Sequence, residues 1–210
     1  MRLSDSRYAP AATLASELRD HPDWHLGRQR YSLWALAVEC PAVLARMQAA
    51  RQLLGDWLHP PGVRQAHITL FVCGFPCTVP RYDDDIALER LDAQRRAIQA
   101  LRMAPLELRI GGLDSFASAA FLSVQEDGQL DQLRQALAQL APEVRQAEYV
   151  PHITVGLYRQ AVSAANWRQR AMPLFDCPPL RLPVREVQLL SYAAAEPQGS
   201  LRIEARVALA

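Results

Sequence analysis

HITL at residues 67–70 and HITV at residues 152–155 write one tetrapeptide pattern twice: histidine, isoleucine, threonine and a branched aliphatic residue. Five histidines and four threonines in 210 residues would give about 0.1 His-x-Thr triplets by chance (5 × 4/210). Two triplets with the same central residue indicate a duplicated unit. The alternative is that both histidines are ordinary core residues on two unrelated strands.

The segments around the two motifs also repeat. Each histidine follows a predicted strand, helix and loop, and the distance from the first strand to the histidine is 36 residues in one unit and 33 in the other. The first unit consists of a strand at 31–39, a helix at 41–55 with Leu44, Met47, Leu53 and Leu54 on one face, and the strand 66–75. The second consists of a strand at 119–125, a helix at 129–140 and the strand 149–158.

The remaining pattern completes an α+β fold. It predicts a short helix at 11–19, a helix at 84–101, and strands at 106–110, 184–192 and 201–209. We expect a bilobal molecule with two antiparallel-rich sheets and outer helices, related by a pseudo-twofold axis across a central cleft. Residues 1–27 would be an N-terminal extension, and 28–210 one domain with lobes at roughly 28–104 and 105–210, in which the tail strands could be exchanged between lobes.

Composition excludes several classes of function. All 23 basic residues are arginine, so a Schiff-base enzyme, a Walker A nucleotide site and a ligase that forms a lysyl adduct are impossible. The net charge of +1 gives no broad basic face for long nucleic acid. Without an apolar run of membrane-spanning length or a signal peptide, we expect a cytoplasmic monomer with reduced cysteines and no membrane association.

The motifs themselves suggest acid-base chemistry. Residues i and i+2 of a strand share a face, so each strand would present an imidazole beside a hydroxyl: His67 with Thr69, and His152 with Thr154. Across a cleft, one histidine can take a proton from water while the other protonates a departing oxygen at phosphorus. The threonine hydroxyls can donate hydrogen bonds to the phosphate oxygens, and this chemistry needs no metal or other cofactor.

On these residues the chain resembles the 2H phosphoesterase superfamily, and within it the bacterial 2′-5′ RNA ligase or RNA 2′,3′-cyclic phosphodiesterase branch. The resemblance spans roughly residues 29–209 and includes both motifs, the GGLDSF segment (111–116) and the closing strand REVQLLSY (185–192). It implies a bilobal fold whose cleft opens 2′,3′-cyclic phosphates of RNA ends or small nucleotides to 2′-phosphates. It also implies that His67 and His152 form the acid-base pair and that Thr69 and Thr154 anchor the phosphate.

Two features depart from that branch. Residues 1–27 have no counterpart in it, and the second motif continues as GLYRQ (156–160) where the branch often has alanine and arginine. The substrate therefore stays open, and another small phosphodiester is an alternative. Ligation could proceed here only as the reverse of cyclic-phosphate opening, since the chain lacks lysine. A non-catalytic binder of RNA ends or nucleotides is the competing function of a different class.

Four further residues are candidates for substrate binding. Strand parity puts Phe75 on the face of His67 and Tyr158 on the face of His152, where either could stack a base, although core packing is the alternative for both. Arg64 and Arg159 are candidate phosphate ligands, the latter only if the strand ends or bulges before it.

A metal-dependent hydrolase is the third possibility. His21 and His25 have the spacing of a helical metal pair, but Pro22 lies between them, and surface histidines are the simpler interpretation. The acidic run at 83–85 is interpreted as a solvated helix start, and Trp24 and Trp34 as packing residues.

Overall fold

The computed structural model describes residues 2–5, 7, 9–125, 127–145 and 147–210. Its helices are α1 (Pro22–His25), α2 (Pro41–Leu54), α3 (Leu88–Leu101), α4 (Gln129–Ala138) and α5 (Ala164–Ala171). Its strands are β1 (Arg30–Ala37), β2 (His67–Cys77), β3 (Asp85–Ala87), β4 (Leu106–Ser115), β5 (Ala119–Gln125), β6 (His152–Leu157), β7 (Leu180–Val184), β8 (Glu186–Ala193) and β9 (Arg202–Ala208). No helix of the described part is long and apolar enough to cross a membrane.

The strand order confirms the duplicated α+β architecture. Hydrogen bonding runs β7-β4-β5-β6 in one half of the sheet and β2-β1-β8-β9 in the other, and β3 adds to β2 in parallel. Read outward from the centre, β6 and β2 correspond, as do β5 and β1, which are the strands of the two repeated units. The antiparallel sheet therefore has two equivalent halves, and the strands that carry HITL and HITV lie side by side where the halves meet.

Few main-chain hydrogen bonds join the two halves of the sheet. Among the described residues, β2 and β6 are paired only through Ile68 and Ile153, so the two sheets that the sequence predicts are joined into one at a single position. Helices α2 and α4 strengthen the junction, because each contacts the motif strand of the opposite unit: α2 lies against β6 and α4 against β2. This exchange of helices holds the two motif strands beside each other.

Several sequence expectations about single elements are wrong. Residues 11–19 form no helix, and the helix expected from residue 84 begins at Leu88. The buried face of α2 is formed by Val43, Ala50 and Leu54, whereas Leu44 is 40% exposed. The short strand β3 and the helix α5 were not predicted.

The acidic run at 83–85 does not serve as a solvated helix start. Asp84 and Asp85 both accept hydrogen bonds from the Arg28 guanidinium, at 2.5 and 2.7 Å, and the side chain of Asp85 is 4% exposed. Gly74 makes this turn possible, because its φ is +98° and a Cβ there would lie 2.1 Å from the Asp84 carbonyl oxygen. The carboxylates of Asp84 and Asp85 therefore form ion pairs with Arg28.

The N-terminal segment is fastened to the second half of the molecule. Three of its residues (1, 6 and 8) lie outside the described part of the chain. Leu3 is fully buried in the main core, and its N–H donates to the Ser115 carbonyl. Thr13 exchanges hydrogen bonds with Val162 and donates its hydroxyl to the Gln160 carbonyl. Extended backbone with specific partners replaces the expected helix.

Candidate functional site

The two motif strands alternate as half-buried strands should. Ile68, Leu70, Ile153 and Val155 are fully buried in the core, while the histidines and threonines of both motifs lie on the opposite face. Continued by one residue in each direction, the antiparallel pair of Ile68 with Ile153 sets His67 across from Thr154, and Thr69 across from His152. Each imidazole is thus placed beside the hydroxyl of the other motif as well as that of its own.

Both imidazoles are oriented by the same backbone contact. His67 Nδ1 lies 2.9 Å from the Gln65 carbonyl oxygen, and His152 Nδ1 lies 2.7 Å from that of Val150. A carbonyl can only accept, so Nδ1 carries a proton in each ring and donates it. The Nε2 atom of each histidine is left to exchange protons with a substrate. In both motifs, the acceptor is the backbone carbonyl of the residue two positions before the histidine.

Burial lowers the pKa of both histidines. For His67 the nearby positive charge of Arg64 and the ring of His152 act in the same direction, and the bond to Gln65 opposes them. For His152 the charge of Arg145 adds to burial, while the bond to Val150 opposes it. Burial therefore favours the neutral form of both imidazoles, and a negatively charged ligand would favour protonation.

The surroundings of the two histidines differ. The ring of His152 meets Phe116 edge-on at 5.0 Å and Phe121 at 5.3 Å. Phe116 comes from the GGLDSF segment, where Gly112 is required because a Cβ there would lie 1.8 Å from the Phe175 carbonyl oxygen. Only His67, by contrast, also borders a second cavity lined by aromatic rings. Chemically alike motifs thus sit in unlike environments.

All four motif side chains line one cavity of about 480 Å³, here called the reaction cavity. Helix α2 borders it with Leu44, Met47, Gln48 and Arg51, which explains the exposure of the first of these residues. Arg64 and Arg145 bring two further guanidinium groups to the same cavity. A cavity with two imidazoles, two hydroxyls and fixed positive charge is suited to a phosphate ester.

Neither arginine is neutralised by a carboxylate among the described residues. Arg64 donates through Nε to the Gly199 carbonyl, while its Nη2 is buried without a hydrogen-bond partner there. Burial lowers the pKa of Arg64. Arg145 makes no hydrogen bond or ion pair in the described part of the chain, although the preceding residue Val144 is fixed to the Val72 carbonyl at 3.2 Å. Both cations would gain from an anionic partner.

Three residues proposed from the sequence as substrate ligands do not border the reaction cavity. Tyr158 is fully buried, and its hydroxyl is engaged by Ser115 and Trp167, so its expected role as a stacking platform is wrong. Phe75 is 1% exposed and packs under Arg28, which corrects the same expectation. Arg159 follows the end of β6, is exposed and does not line the cavity. Register shifts in the pairing of β2 with β1 and of β6 with β5 interrupt the period of two between each histidine and these residues, so parity counted from the histidines does not place their side chains.

The sequence interpretation missed three residues around the site. Arg145 lies in a loop without a motif, and only folding brings it beside both histidines. Tyr149 donates its hydroxyl to the Thr69 carbonyl at 3.1 Å and so links the loop before the second motif to the first motif. Trp24 packs, as expected, but it is also 36% exposed and lines the cavity next to His67. No sequence spacing could have indicated these long-range contacts.

The structure gives no metal-binding arrangement to His21 and His25. His25 Nε2 lies 2.9 Å from an Asp20 carboxylate oxygen, and the acidic run is occupied by Arg28. Within the described residues, no group of three or more histidine, cysteine, aspartate or glutamate side chains could hold a metal ion. The four cysteines are free thiols.

Comparison with known proteins agrees with the fold. The chain is similar to E. coli LigT complexed with 3′-AMP, at 20% identity and a TM-score of 0.59, over 86% of this chain and 98% of that one. It is similar to TT0787 of Thermus thermophilus, at 19% identity and a TM-score of 0.59, over 85% and 97% of the two chains. The Agrobacterium tumefaciens protein ATU0111 matches at 14% identity and a TM-score of 0.57, over 93% of this chain and 96% of that one.

No curated protein matches the chain in sequence. The model of the 2′-5′ RNA ligase superfamily matches residues 40–196, which include both His-x-Thr motifs and most of the chain. The chain therefore belongs to the 2′-5′ RNA ligase superfamily of 2H phosphoesterases.

Proposed function

We propose that this protein is a metal-independent cyclic phosphodiesterase that opens the 2′,3′-cyclic phosphate of an RNA end or a small nucleotide to a 2′-phosphate. The observation that carries the proposal is the placement of both His-x-Thr pairs on one cavity, with each Nδ1 bonded to a carbonyl. Membership of a superfamily of phosphoesterases and ligases supports a phosphodiester substrate.

The hydrolysis needs one neutral and one protonated imidazole. The neutral histidine accepts a proton from water at Nε2 as the water oxygen bonds to phosphorus. The protonated histidine gives its Nε2 proton to the 3′-oxygen as the phosphorus–oxygen bond breaks, which leaves a 2′-phosphate and a free 3′-hydroxyl. One proton enters the histidine pair and one leaves it, so the charge of the pair is unchanged and the two histidines have exchanged protonation states, which proton exchange with solvent restores.

The remaining groups hold the phosphate between the imidazoles. Thr69 and Thr154 donate their hydroxyl hydrogens to the non-bridging oxygens. Arg64 and Arg145 balance the negative charge that develops on those oxygens, in a cavity where burial strengthens the interaction. In this role Arg145 replaces the arginine that the branch often carries after its second motif, where this chain has Gly156 and Leu157.

Small nucleotides are supported as ligands by the related structures. E. coli LigT has been solved with 3′-AMP, ATP and NADP⁺, at 20% identity to this chain in each case. Those ligands belong to that protein, but they combine a phosphate with a nucleoside, which is the chemistry we propose here. Ligation by this chain would be the reverse of the opening step, with a 2′-phosphate closing or transferring under the same two histidines.

The test is turnover by purified, chelator-treated protein of a panel of nucleoside and oligonucleotide 2′,3′-cyclic phosphates. We expect a 2′-phosphate as the product, and a loss of kcat of about 10²- to 10⁴-fold in His67→Ala and in His152→Ala. His21→Ala is the matched control, because His21 lies outside the reaction cavity. It should retain the wild-type rate.

Three results would contradict the proposal. Unchanged turnover in both motif variants would exclude the two-histidine mechanism. Activity that disappears with the chelator and returns with a divalent cation would favour the metal-dependent alternative. Tight binding of a cyclic phosphate without product over long incubation would favour the non-catalytic binder.

A further inference from the structure

A second cavity, of about 330 Å³, adjoins the reaction cavity on the side of His67. We call it the aromatic pocket; it is lined by Trp24, Tyr31, Leu33, Arg64, His67, Thr69, Val72, Val144, Arg145 and Tyr192. Its volume lies at the lower end of the range, about 300–1,000 Å³, that small-molecule sites occupy. Among the residues that the structure describes, its lining contains three aromatic side chains, two guanidinium groups and no carboxylate or amide side chain.

Trp24 is held firmly in the wall of this pocket. Its ring lies 5.1 Å from that of Tyr31 and 5.2 Å from that of Phe75, measured between centroids. Its carbonyl accepts a hydrogen bond of 2.9 Å from Arg28, which is itself bound by Asp84 and Asp85. The exposed part of the indole, 36% of the residue, is thus presented at a fixed position. Rigid aromatic surface loses little entropy when a ligand stacks on it.

Another part of the pocket lining combines an aromatic ring with positive charge. The Arg64 guanidinium lies 4.1 Å from the ring centroid of Tyr192, and Tyr192 lies 5.7 Å from Tyr31. The buried Nη2 of Arg64 has no hydrogen-bond partner in the described part of the chain. A buried donor without an acceptor is costly, so an acceptor atom on a bound ligand would be stabilising.

The aromatic pocket and the reaction cavity are adjacent and share four lining residues. Arg64, His67, Thr69 and Arg145 line both. A ligand whose phosphate lies between the imidazoles would therefore extend its next group either into the aromatic pocket or out of the cleft. A flat ring with acceptor atoms on its edge, as in a nucleobase, matches aromatic walls that offer donors.

We propose that the aromatic pocket is a nucleobase subsite, in which Trp24 supplies a stacking wall from a segment that precedes the region matched by the family model. This inference rests on the proposed function, because it assigns the base of the nucleoside whose cyclic phosphate is opened. The family match begins at residue 40, and Trp24 also precedes the strand β1 with which the first repeated unit begins. Since stacking accepts any base, the subsite selects nucleosides over base-free ribose phosphates and discriminates weakly among the bases.

The experiment compares a nucleoside 2′,3′-cyclic phosphate with the 2′,3′-cyclic phosphate of methyl riboside, which has no base. Wild-type protein should show a lower KM for the nucleoside substrate. Trp24→Ala should raise that KM by about 5- to 100-fold, with a much smaller effect on the base-free substrate, and Trp24→Phe should restore most of the difference. Trp57→Ala is the matched control, because Trp57 stacks on Arg170 outside both cavities.

Equilibrium binding separates this inference from the proposed function. A nucleoside 2′-monophosphate should bind wild-type protein more tightly than inorganic phosphate does, and Trp24→Ala should remove that advantage. Equal KM values for the two cyclic phosphates in wild-type protein would overturn the subsite while leaving the hydrolysis intact. If neither substrate is turned over, the proposed function fails, and the binding comparison alone decides the subsite. The subsite would also be overturned if Trp24→Ala still bound the nucleoside 2′-monophosphate more tightly than inorganic phosphate by the wild-type factor.

Discussion

At the scale of single residues, both histidines of the site are oriented by the same kind of contact, between Nδ1 and a backbone carbonyl. Gln65 and Val150 each offer a carbonyl to the Nδ1 of the histidine two positions later, and this fixes the proton on Nδ1, so that Nε2 is the nitrogen of the proposed proton transfer. The motif His-x-Thr gives the residue types, but the tautomer comes from backbone that the motif does not include. Strand geometry supplies that carbonyl at the same place in both units.

The lowered pKa values of His67 and His152 predict the pH dependence of the reaction. Burial favours the neutral form of both rings, so the state with one protonated and one neutral histidine is populated below the ordinary imidazole pKa of about 6.5. We expect kcat/KM to be bell-shaped, with its alkaline limb already falling at neutral pH. The limbs of kcat should lie at higher pH, because bound phosphate stabilises the protonated ring.

Initial rates measured from pH 4 to 9 at low and saturating substrate give both profiles. An alkaline limb of kcat/KM that begins well above pH 7 would contradict the assignment, since it would require a proton donor whose pKa is raised in the free protein. Solvent-exposed imidazoles would give limbs near the ordinary value.

Arg145 is expected to contribute to the rate through its charge. Arg145→Ala should lower kcat/KM by about 10- to 100-fold, the effect of losing a charge-assisted hydrogen bond to the phosphate. Arg159→Ala is a matched control of the same chemistry, because Arg159 is exposed at the end of β6 and does not line the reaction cavity. If the control variant loses as much activity as Arg145→Ala, the positions of the two arginines relative to the substrate are not as proposed.

At the scale of elements, the N-terminal segment acts as part of the folded domain. It pairs with the chain around Val162 through Thr13, and its Trp24 forms a wall of the aromatic pocket. Its sequence predicted a short helix because alanine and leucine dominate residues 11–19. Tertiary hydrogen bonds to Tyr158 and Val162 hold this stretch extended instead.

Leu3 provides a test of that attachment. It is fully buried in the main core, so Leu3→Ala should lower the free energy of unfolding by about 2–5 kcal/mol. Leu14→Ala in the same segment is the control, because Leu14 is 62% exposed, and it should change stability by less than about 0.5 kcal/mol. Denaturant unfolding followed by circular dichroism measures both. Equal effects would mean that the segment is not docked through Leu3.

At the scale of the whole molecule, the halves are joined by few main-chain bonds and by side chains that cross between them. Arg134 of α4 donates to the Leu70 carbonyl of β2 and, through Nη2, to Glu143 at 2.7 Å. Glu143 in turn accepts from the Val72 N–H at 3.0 Å. This arrangement, together with the pair Ile68–Ile153, sets the spacing of the two motif strands.

Removing this cross-link should loosen the site as well as the fold. Glu143→Ala leaves a partly buried Arg134 and the Val72 N–H without their partner, and it should cost about 2–4 kcal/mol of unfolding free energy. We also expect a lower kcat, because the distance between the imidazoles is no longer fixed. Asp92→Ala is the control, since its ion pairs with Arg95 and Arg96 are exposed to solvent and should contribute much less to stability than the pair of Arg134 with Glu143.

For Glu143→Ala, thermal unfolding and steady-state kinetics on the same preparation distinguish the two effects. A variant that is destabilised but keeps the wild-type kcat would show that the cross-link supports the core without positioning the histidines. A variant with full stability would contradict the structural role itself.

The sequence by itself determined the α+β class, the duplicated strand-helix-strand unit, and the common face of histidine and threonine in each motif. These properties are local: they follow from a period of two along a strand and from spacings that can be counted. The family match and the structure agree with these local properties, because local properties do not depend on how distant segments of the chain pack together.

Only the tertiary structure decided which residues surround the motifs. Register shifts interrupt the period of two before Phe75 and before Tyr158, and the contacts of these rings with Arg28 and Trp167 bury both away from the reaction cavity. Arg145, in a loop, and Trp24, in the short helix α1, border the cavities because hydrogen bonds between residues more than 50 positions apart in sequence fix the adjoining segments. Such contacts arise from the closure of the whole sheet and its crossed helices, and periodicity within a segment carries no information about them.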